Sequence, residues 1–397
     1  MRILKWKKQL IIILPLLMFQ FGLSQSRVLV VFDKLTGFAV DNAMVTFRNQ
    51  DERTFTNSEG KASIIIGNAG LKISKIGFED LVLETEKELK SDTVFMIRQA
   101  VELDELVIKS FNLNKAIQYV LDNYKDLYVH TPFEKECNFK ETVVVDNQLK
   151  RLIVSKVNWW DRTYEFQKNS RIKLRLGAIA YNKNIPLDIY TDMPGINESN
   201  SGYIKPSSLI NTIYLNSCLS DFIKSKENIT GVIEESPSDQ IVVGFESDWE
   251  ITNGISKRTK GKIIFDKKSK AILEFLNRIE YKNKVTKDIV KETKKESVKE
   301  STFIAKRLTF YKTENNLFTL KSFEGTAEVL ITYDSKIHPV VFENSIYVLK
   351  ETAIAKVNNE GLINLSKPIY KSLPAGIIAS TNTILLNKQE SDFINSK

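Results

Sequence analysis

The chain has 397 residues, 42% of them hydrophobic and 27% charged, a composition that places it among folded globular proteins and excludes disorder as the default. Its formal net charge is +8, but four of those charges are Arg2, Lys5, Lys7 and Lys8 at the very start. Residues 25–110 hold 11 Lys/Arg against 14 Asp/Glu, net −3, whereas residues 257–307 hold 17 against 7, net +10, so the basicity is local and a nucleic-acid partner for the whole chain is excluded.

Residues 1–24 read as an export signal. A basic start without acids is followed by an apolar run from Leu10 to Leu23 in which Gln20 is the polar exception. That run is shorter than the about 20 residues a spanning helix needs, which favours cleavage over anchoring. Gly22 and Ser24 sit three and one positions before a cut that leaves Gln25 first. No cysteine lies near that cut, so an N-terminal lipoprotein is not expected. No later stretch is apolar over 18 residues, so no transmembrane helix is expected after cleavage. The expected location is the periplasm or the outer membrane. The remaining length predicts two or three domains.

Residues 25–110 read as seven short strands separated by turn chemistry: Arg27–Asp33, Ala43–Phe47, Ala62–Ile66, Leu71–Ile76, Leu81–Leu83, Thr93–Ile97 and Leu103–Ile108. Two turns are explicit, Asp33-Lys34-Leu35-Thr36-Gly37 and Thr56-Asn57-Ser58-Glu59-Gly60. The density of short strands predicts an antiparallel β-sandwich. Together with Asn42-Ala43-Met44-Val45 and Leu71-Lys72-Ile73-Ser74-Lys75-Ile76-Gly77-Phe78-Glu79, those turns resemble the carboxypeptidase regulatory-like domain. That resemblance implies a transthyretin-like sandwich and a setting in secreted or outer-membrane proteins of Bacteroidetes-type bacteria. It departs from the pattern at Arg27 and Val28, where a glycine is usual. It carries no peptidase: zinc carboxypeptidase chemistry needs two His and a Glu on the metal, and His130 and His338 stand alone, with no His-x-x-Glu.

Residues 111–130 predict one amphipathic helix joining two domains. Leu113, Ala116, Ile117, Val120, Leu121, Tyr124 and Leu127 recur at helical spacing, with Asn112 as the cap and Pro132 beyond the end. Residues 131–385 predict a larger curved antiparallel sheet, making the chain mainly β. A hairpin turns at Asp146-Asn147-Gln148, and residues 183–208, with Pro186, Pro194, Gly195 and Pro206, read as a long irregular loop. Leu209 to Ile223 has the spacing of a second helix. Paired strands follow: Thr230–Glu234, Gln240–Glu246, Lys260–Asp266, Ala271–Tyr281, Phe303–Thr313, Leu317–Phe323, Thr326–Tyr333 and Val340–Leu349. The hairpin around Lys267–Lys270 is similar to hairpins of exported lipoprotein carriers, whose curved sheet wraps a helix. The charged stretch 284–300 reads as a solvated face, either a helix laced by pairs such as Glu292–Lys295 or an excursion between strands. Residues 386–397 read as a polar tail.

Chemistry is sparse. Nucleophile elbows, phosphate loops, Cys-x-x-Cys pairs and dinucleotide fingerprints are all missing from the sequence. No cofactor or metal site is expected, and the chain is not expected to be an enzyme. Trp159 and Trp160, with Tyr164, carry two readings, a stacking platform for a sugar or a strand-borne core cluster. Cys137 and Cys218 either pair in an oxidising compartment or are separate buried thiols. The leading functional expectation is a non-catalytic cell-envelope module whose partner is an envelope protein, a lipid or a glycan. A lipid or glycan carrier with a groove in the C-terminal sheet comes second, and an envelope hydrolase using paired carboxylates third.

Overall fold

The computed structural model describes residues 26–47, 52–65, 70–85, 88–89, 91–100, 110–168, 171–184, 206–225, 228–235, 239–289, 296–333, 335–367 and 384–396. The chain divides into two compact units, Met1–Arg98 and Gln99–Lys397. The fold is mainly β in both.

The first unit is a seven-stranded sandwich. β1 (Ser26–Asp33), β4 (Lys61–Ile65) and β7 (Thr93–Met96) form one sheet in the order β4-β1-β7. β2 (Met44–Phe47), β3 (Arg53–Phe55), β5 (Leu71–Ser74) and β6 (Leu81–Leu83) form the other in the order β3-β2-β5-β6. Alternation puts Leu29, Val31, Ile64 and Met96 of the first sheet against Val45, Phe47, Leu71 and Ile73 of the second, and all are buried. Two details differ from expectation. The pairing of β1 with β7 is parallel, and Arg53–Phe55 supplies a strand too short for a hydrophobic period to reveal. The expected strand Leu103–Ile108 lies outside the described residues.

Both sequence turns have physical causes. Asp33 accepts from the Leu35 amide at 2.9 Å and the Thr36 hydroxyl at 2.7 Å, and from Arg98 at 2.8 Å. The Asn57 side chain accepts from the amides of Glu59 and Lys61 at 3.0 and 2.9 Å. Gly60 has φ +73° and its α-carbon faces the Val31 carbonyl so closely that a β-carbon would collide with it, so two independent constraints demand glycine there.

The second unit is one 13-stranded sheet with helices on it. Its spine runs β11 (Lys173–Asn184), β10 (Gln148–Asp161), β9 (Phe133–Val145), β20 (Lys336–Ala353), β19 (Phe318–Tyr333), β18 (Glu296–Lys312), β16 (Ile272–Lys282), β15 (Ile255–Asp266), β13 (Gln240–Ser247), β12 (Ile229–Glu235), β8 (Ser110–Phe111). β14 (Glu250–Thr252) and β17 (Val285–Ile289) attach to β15 and β18. The pairings between these strands are antiparallel. The β9–β10 turn has Asp146 and Asn147 at φ 50° and 63°, the doubly positive geometry of a tight hairpin. Bulges at Ser155, Phe303 and Phe310 shift register and bend the strands locally.

The odd-numbered face of β9 (Phe133, Cys137, Phe139), continued by Ile153, Trp159, Phe245, Ile263, Phe275, Leu308 and Phe323, is the core face. Helices α1 (Leu113–Asp122), α2 (Tyr124–Leu127), α3 (Pro206–Ile213) and α4 (Leu215–Lys224) cover it. Asn112 caps α1, accepting from the Lys115 amide at 2.9 Å. The predicted single helix 111–130 is broken at Asn123, and its apolar stripe is a core face, as its spacing suggests: Leu113, Ile117, Val120, Tyr124 and Leu127 are all buried in the sheet unit. Each such side chain stabilises by roughly 1.5–3 kcal/mol on burial.

Four other expectations change. The irregular loop 183–208 is bounded by β11 and α3, with 185–205 outside the described residues, and α3 already begins at Pro206, the position where a proline best suits a helix. The charged stretch 284–300 is part of a β-hairpin, Val285–Ile289 against Glu296–Glu300; Glu292 and Lys295 lie outside the described residues. The two strands expected at 317–333 are one, passing through Gly325. The polar tail holds helix α5 (Lys388–Asn395), closed by a capping box of Asn387 and Glu390. Phe393 of α5 packs on Leu149, Leu152 and Val154 on the face opposite the other helices, and Lys140 pairs with Glu390 at 2.7 Å.

Candidate functional site

The aromatic trio is core. Trp159, Trp160 and Tyr164 are 2%, 5% and 0% exposed, so the stacking-platform reading is corrected. Trp159 meets Phe133 edge-on at 5.3 Å and Tyr214 at 5.3 Å, and Tyr164 stacks on Tyr214 at 5.3 Å. Burying their polar atoms obliges each to find a partner. Trp159 Nε1 donates to Tyr214 Oη at 3.2 Å, and Tyr214 Oη donates to Asp161 Oδ2 at 2.8 Å. Tyr164 Oη donates to the Ile213 carbonyl at 2.7 Å, and Trp160 Nε1 to the Ile354 carbonyl at 2.9 Å. Burial pushes the phenols of Tyr124, Tyr164 and Tyr214 well above their ordinary range, which keeps them neutral hydrogen-bond donors. Burial also raises the Asp161 carboxyl, against the opposing hydrogen bonds of Tyr214 and the Arg162 amide.

Cys137 and Cys218 are both buried, with no disulfide between them. Burial raises the Cys218 thiol, only partly opposed by Lys306, so it is protonated and a poor nucleophile. His338 Nδ1 lies 2.8 Å from Asp146 Oδ2 at the β9–β10 turn, remote in sequence from either cysteine. Among the described residues no group of His, Cys, Asp and Glu is placed to hold a metal ion. No helix among them is long and apolar enough to cross a membrane.

Two hollows remain. One lies between α3 and the core face, lined by Cys137, Phe139, Val157, Leu174, Ile210 and Ile346, entirely apolar and about 40 Å³ in volume. The other is open, about 650 Å³, on the opposite face of β12, β13, β15, β16 and β18. Its floor is short or aliphatic, with Val232, Gly244, Leu276 and Ala305, and its walls are long charged chains, Glu234, Glu246, Lys260, Lys262 and Arg278. The registers explain this. Gly244 pairs with Lys262, Lys262 with Leu276, Lys260 with Arg278 and Arg278 with Ala305, so small and long side chains alternate across one face.

Beside the open hollow, on the same face, Glu280 gathers charges from its wall and its flank. Arg258 Nη2 approaches it at 2.6 Å, Lys260 Nζ at 2.8 Å and Arg278 Nε at 3.0 Å. Burial opposes its ionisation, but hydrogen bonds from Lys260, Arg258 and Arg278 outweigh burial and hold the carboxyl at about 2. Arg258 also reaches Glu246 at 2.6 Å, and Lys262 reaches Glu234 at 3.4 Å. Cations lie over rings along the same face: Arg278 over Phe303 at 3.6 Å, and Lys282 and Arg258 over Trp249 at 4.1 and 4.9 Å. The local charge excess in 257–307 was the sequence signal for this surface. The reading missed the site because it followed the lysine-rich run 284–300 rather than the alternation in 258–262 and 276–282.

No family model and no curated protein matches the chain. Among solved structures, a lipovitellin structure concerned with lipid–protein interactions is 7% identical with a TM-score of 0.24 over 59% of this chain, and the chain spans only 26% of its length. A Bacteroides fragilis protein of unknown function, described as membrane-associated, is 8% identical with a TM-score of 0.13, covering 82% of this chain and 98% of that one. Similarities this low carry no inference about function.

Proposed function

We propose that the protein is a non-catalytic module of the cell envelope, exported by its N-terminal segment, whose larger unit is a rigid scaffold for binding or assembly. The observation that carries this reading is the division of labour between the faces of the sheet. One face is filled by four helices and their aromatic side chains, and the opposite face offers the open polar hollow of about 650 Å³. The ionisable groups with large shifts are locked rather than poised: the buried phenols donate to fixed partners, and Glu280 is held ionised by three cations. A general acid or base needs a value near working pH.

The lipid-carrier reading draws less support. The apolar hollow of about 40 Å³ is well below the about 150 Å³ that admits a benzene, and ligand sites generally run to about 300–1,000 Å³. The carboxypeptidase regulatory-like assignment of the first unit remains part of the proposal, supported by the two turn motifs and their hydrogen bonds.

Expression of the full chain with a C-terminal epitope in a bacterium with an outer membrane tests the reading. Recovery with periplasmic or outer-membrane markers, together with loss of about 24 residues by mass, supports it. Retention in the cytosol with the leader intact overturns it.

A further inference from the structure

We infer that the open hollow on β12–β18 binds an acidic, carboxylate-bearing oligosaccharide. This deepens the proposed function and rests on it for the setting, though not for the chemistry.

Charge, shape and lining converge on that ligand. Lys260, Lys262 and Arg278 line the hollow with Glu234 and Glu246, and Arg258, Lys282 and Glu280 stand beside it on the same face, so five cations meet three carboxylates. Glu280 is shared among three of the cations, so it neutralises only one of them and the hollow keeps a net positive charge. The side chains of Lys260, Lys262 and Arg278 are 38–42% exposed, so their donors reach solvent and a ligand carboxylate meets them at little desolvation cost. The excess stops at Arg307, which two carboxylates, Glu274 and Glu324, already face at 3.8 and 3.5 Å.

A bare polyanion needs no acceptors and no apolar floor, yet this hollow has both. Glu234 and Glu246 accept hydrogen bonds as sugar hydroxyls give them, and the lysines and Arg278 donate to hydroxyls and carboxylates alike. Leu276 and Ala305, on the neighbouring strands β16 and β18, offer an apolar patch among Lys262 and Arg278, with Val232 apart on β12, and a sugar ring's C–H face can lie on such a patch. Gly244 gives the Glu234 carboxylate its place in the hollow, because a β-carbon there would collide with it. A lipid headgroup would find the cations but no slot for its chains in a floor sealed by the backbone of the sheet. Trp249 lies outside the hollow's lining, its ring covered by Arg258 and Lys282.

Calorimetric titration of the full chain with tetragalacturonate tests this, beside neutral maltotetraose and phosphatidylglycerol vesicles. Tetragalacturonate is expected to bind, at least tenfold more tightly than maltotetraose, and to weaken as salt rises from about 20 to 200 mM. Arg278→Ala and Lys260→Ala should each lower affinity five- to tenfold with an unchanged melting temperature. Glu246→Gln should raise it two- to threefold, a gain that a purely structural role would not produce. Lys268→Ala, on the β15–β16 turn, should leave it unchanged. Equal binding of both sugars, no response to Glu246→Gln, or binding of the vesicles alone would overturn the inference. Such a failure with the protein still recovered from the envelope would spare the proposed function; cytosolic retention with tetragalacturonate binding intact would do the reverse.

Discussion

Replacing Tyr128 by Phe should destabilise the larger unit by about 3 kcal/mol. Tyr128 is fully buried, between α2 and the sheet. Its hydroxyl donates to the Ile272 carbonyl at 3.1 Å and accepts from the Ile272 amide at 2.8 Å. Ile272 opens β16 beside a register shift in the β15–β16 ladder, so its backbone turns to a side chain instead of a strand. Phe keeps the ring and its stacking on Tyr124 at 4.6 Å but strands one buried donor and one buried acceptor. Each costs about 1–3 kcal/mol, and water has no route in to compensate fully. Tyr124→Phe is the comparison, because it removes the bond that Tyr124 Oη donates to the Tyr164 carbonyl at 3.0 Å without touching the backbone of a strand, and should cost about 1 kcal/mol. Urea unfolding followed by tryptophan fluorescence isolates the effect, since Trp159, Trp160 and Trp249 are all in the larger unit and the sandwich has none. A loss below about 0.5 kcal/mol for Tyr128→Phe, or one no greater than for Tyr124→Phe, would refute the reasoning.

Three further outcomes are expected. Val157→Ile, adding a methyl toward the hollow of about 40 Å³, should stabilise by up to about 1 kcal/mol at ~24 cal/mol per Å³ of cavity filled, read as a raised urea midpoint. Asp33, held at about 2 by hydrogen bonds from Thr36, Leu35 and Arg98 that outweigh its burial, lies below its unfolded value of 3.8. Its stabilisation is therefore complete above pH 4 and is lost as pH falls toward 2; amide exchange in β1 should show that acid loss, and Asp33→Asn should remove the dependence. Cys137 and Cys218 should resist alkylation in the native protein and both label after unfolding without reductant, as seen by mass; a single species with no label would mean a disulfide.

Local rules carried far along this chain. Asn112 capped the helix it was expected to cap, because a cap depends on three residues of its own backbone. The turns at Asp33 and Thr56–Gly60 were legible because short polar side chains bond their neighbours' amides. Strand existence was legible wherever alternation ran for five residues or more. Arg53–Phe55 and Glu250–Thr252 are three residues each, too short for any period to register. Lys173–Asn184 was missed because its alternation ends at Leu176, where Gly177 and a register shift put Ile179 out of phase. The tail helix was missed because only Phe393 signals burial in a segment otherwise polar.

Composition and pattern by themselves determined that this is a β-rich chain with a small sandwich ahead of a larger sheet, and that its positive charge is concentrated in 257–307. Those properties follow from side-chain periodicity and turn chemistry, which act over a few residues. Which face each tryptophan takes, whether two thiols 81 positions apart meet, and which carboxylate three cations share depend on strand register. A register shift of one residue moves every side chain to the opposite face. Only the assembled sheet decides that Trp159 is core and that Glu280 stands among Arg258, Lys260 and Arg278.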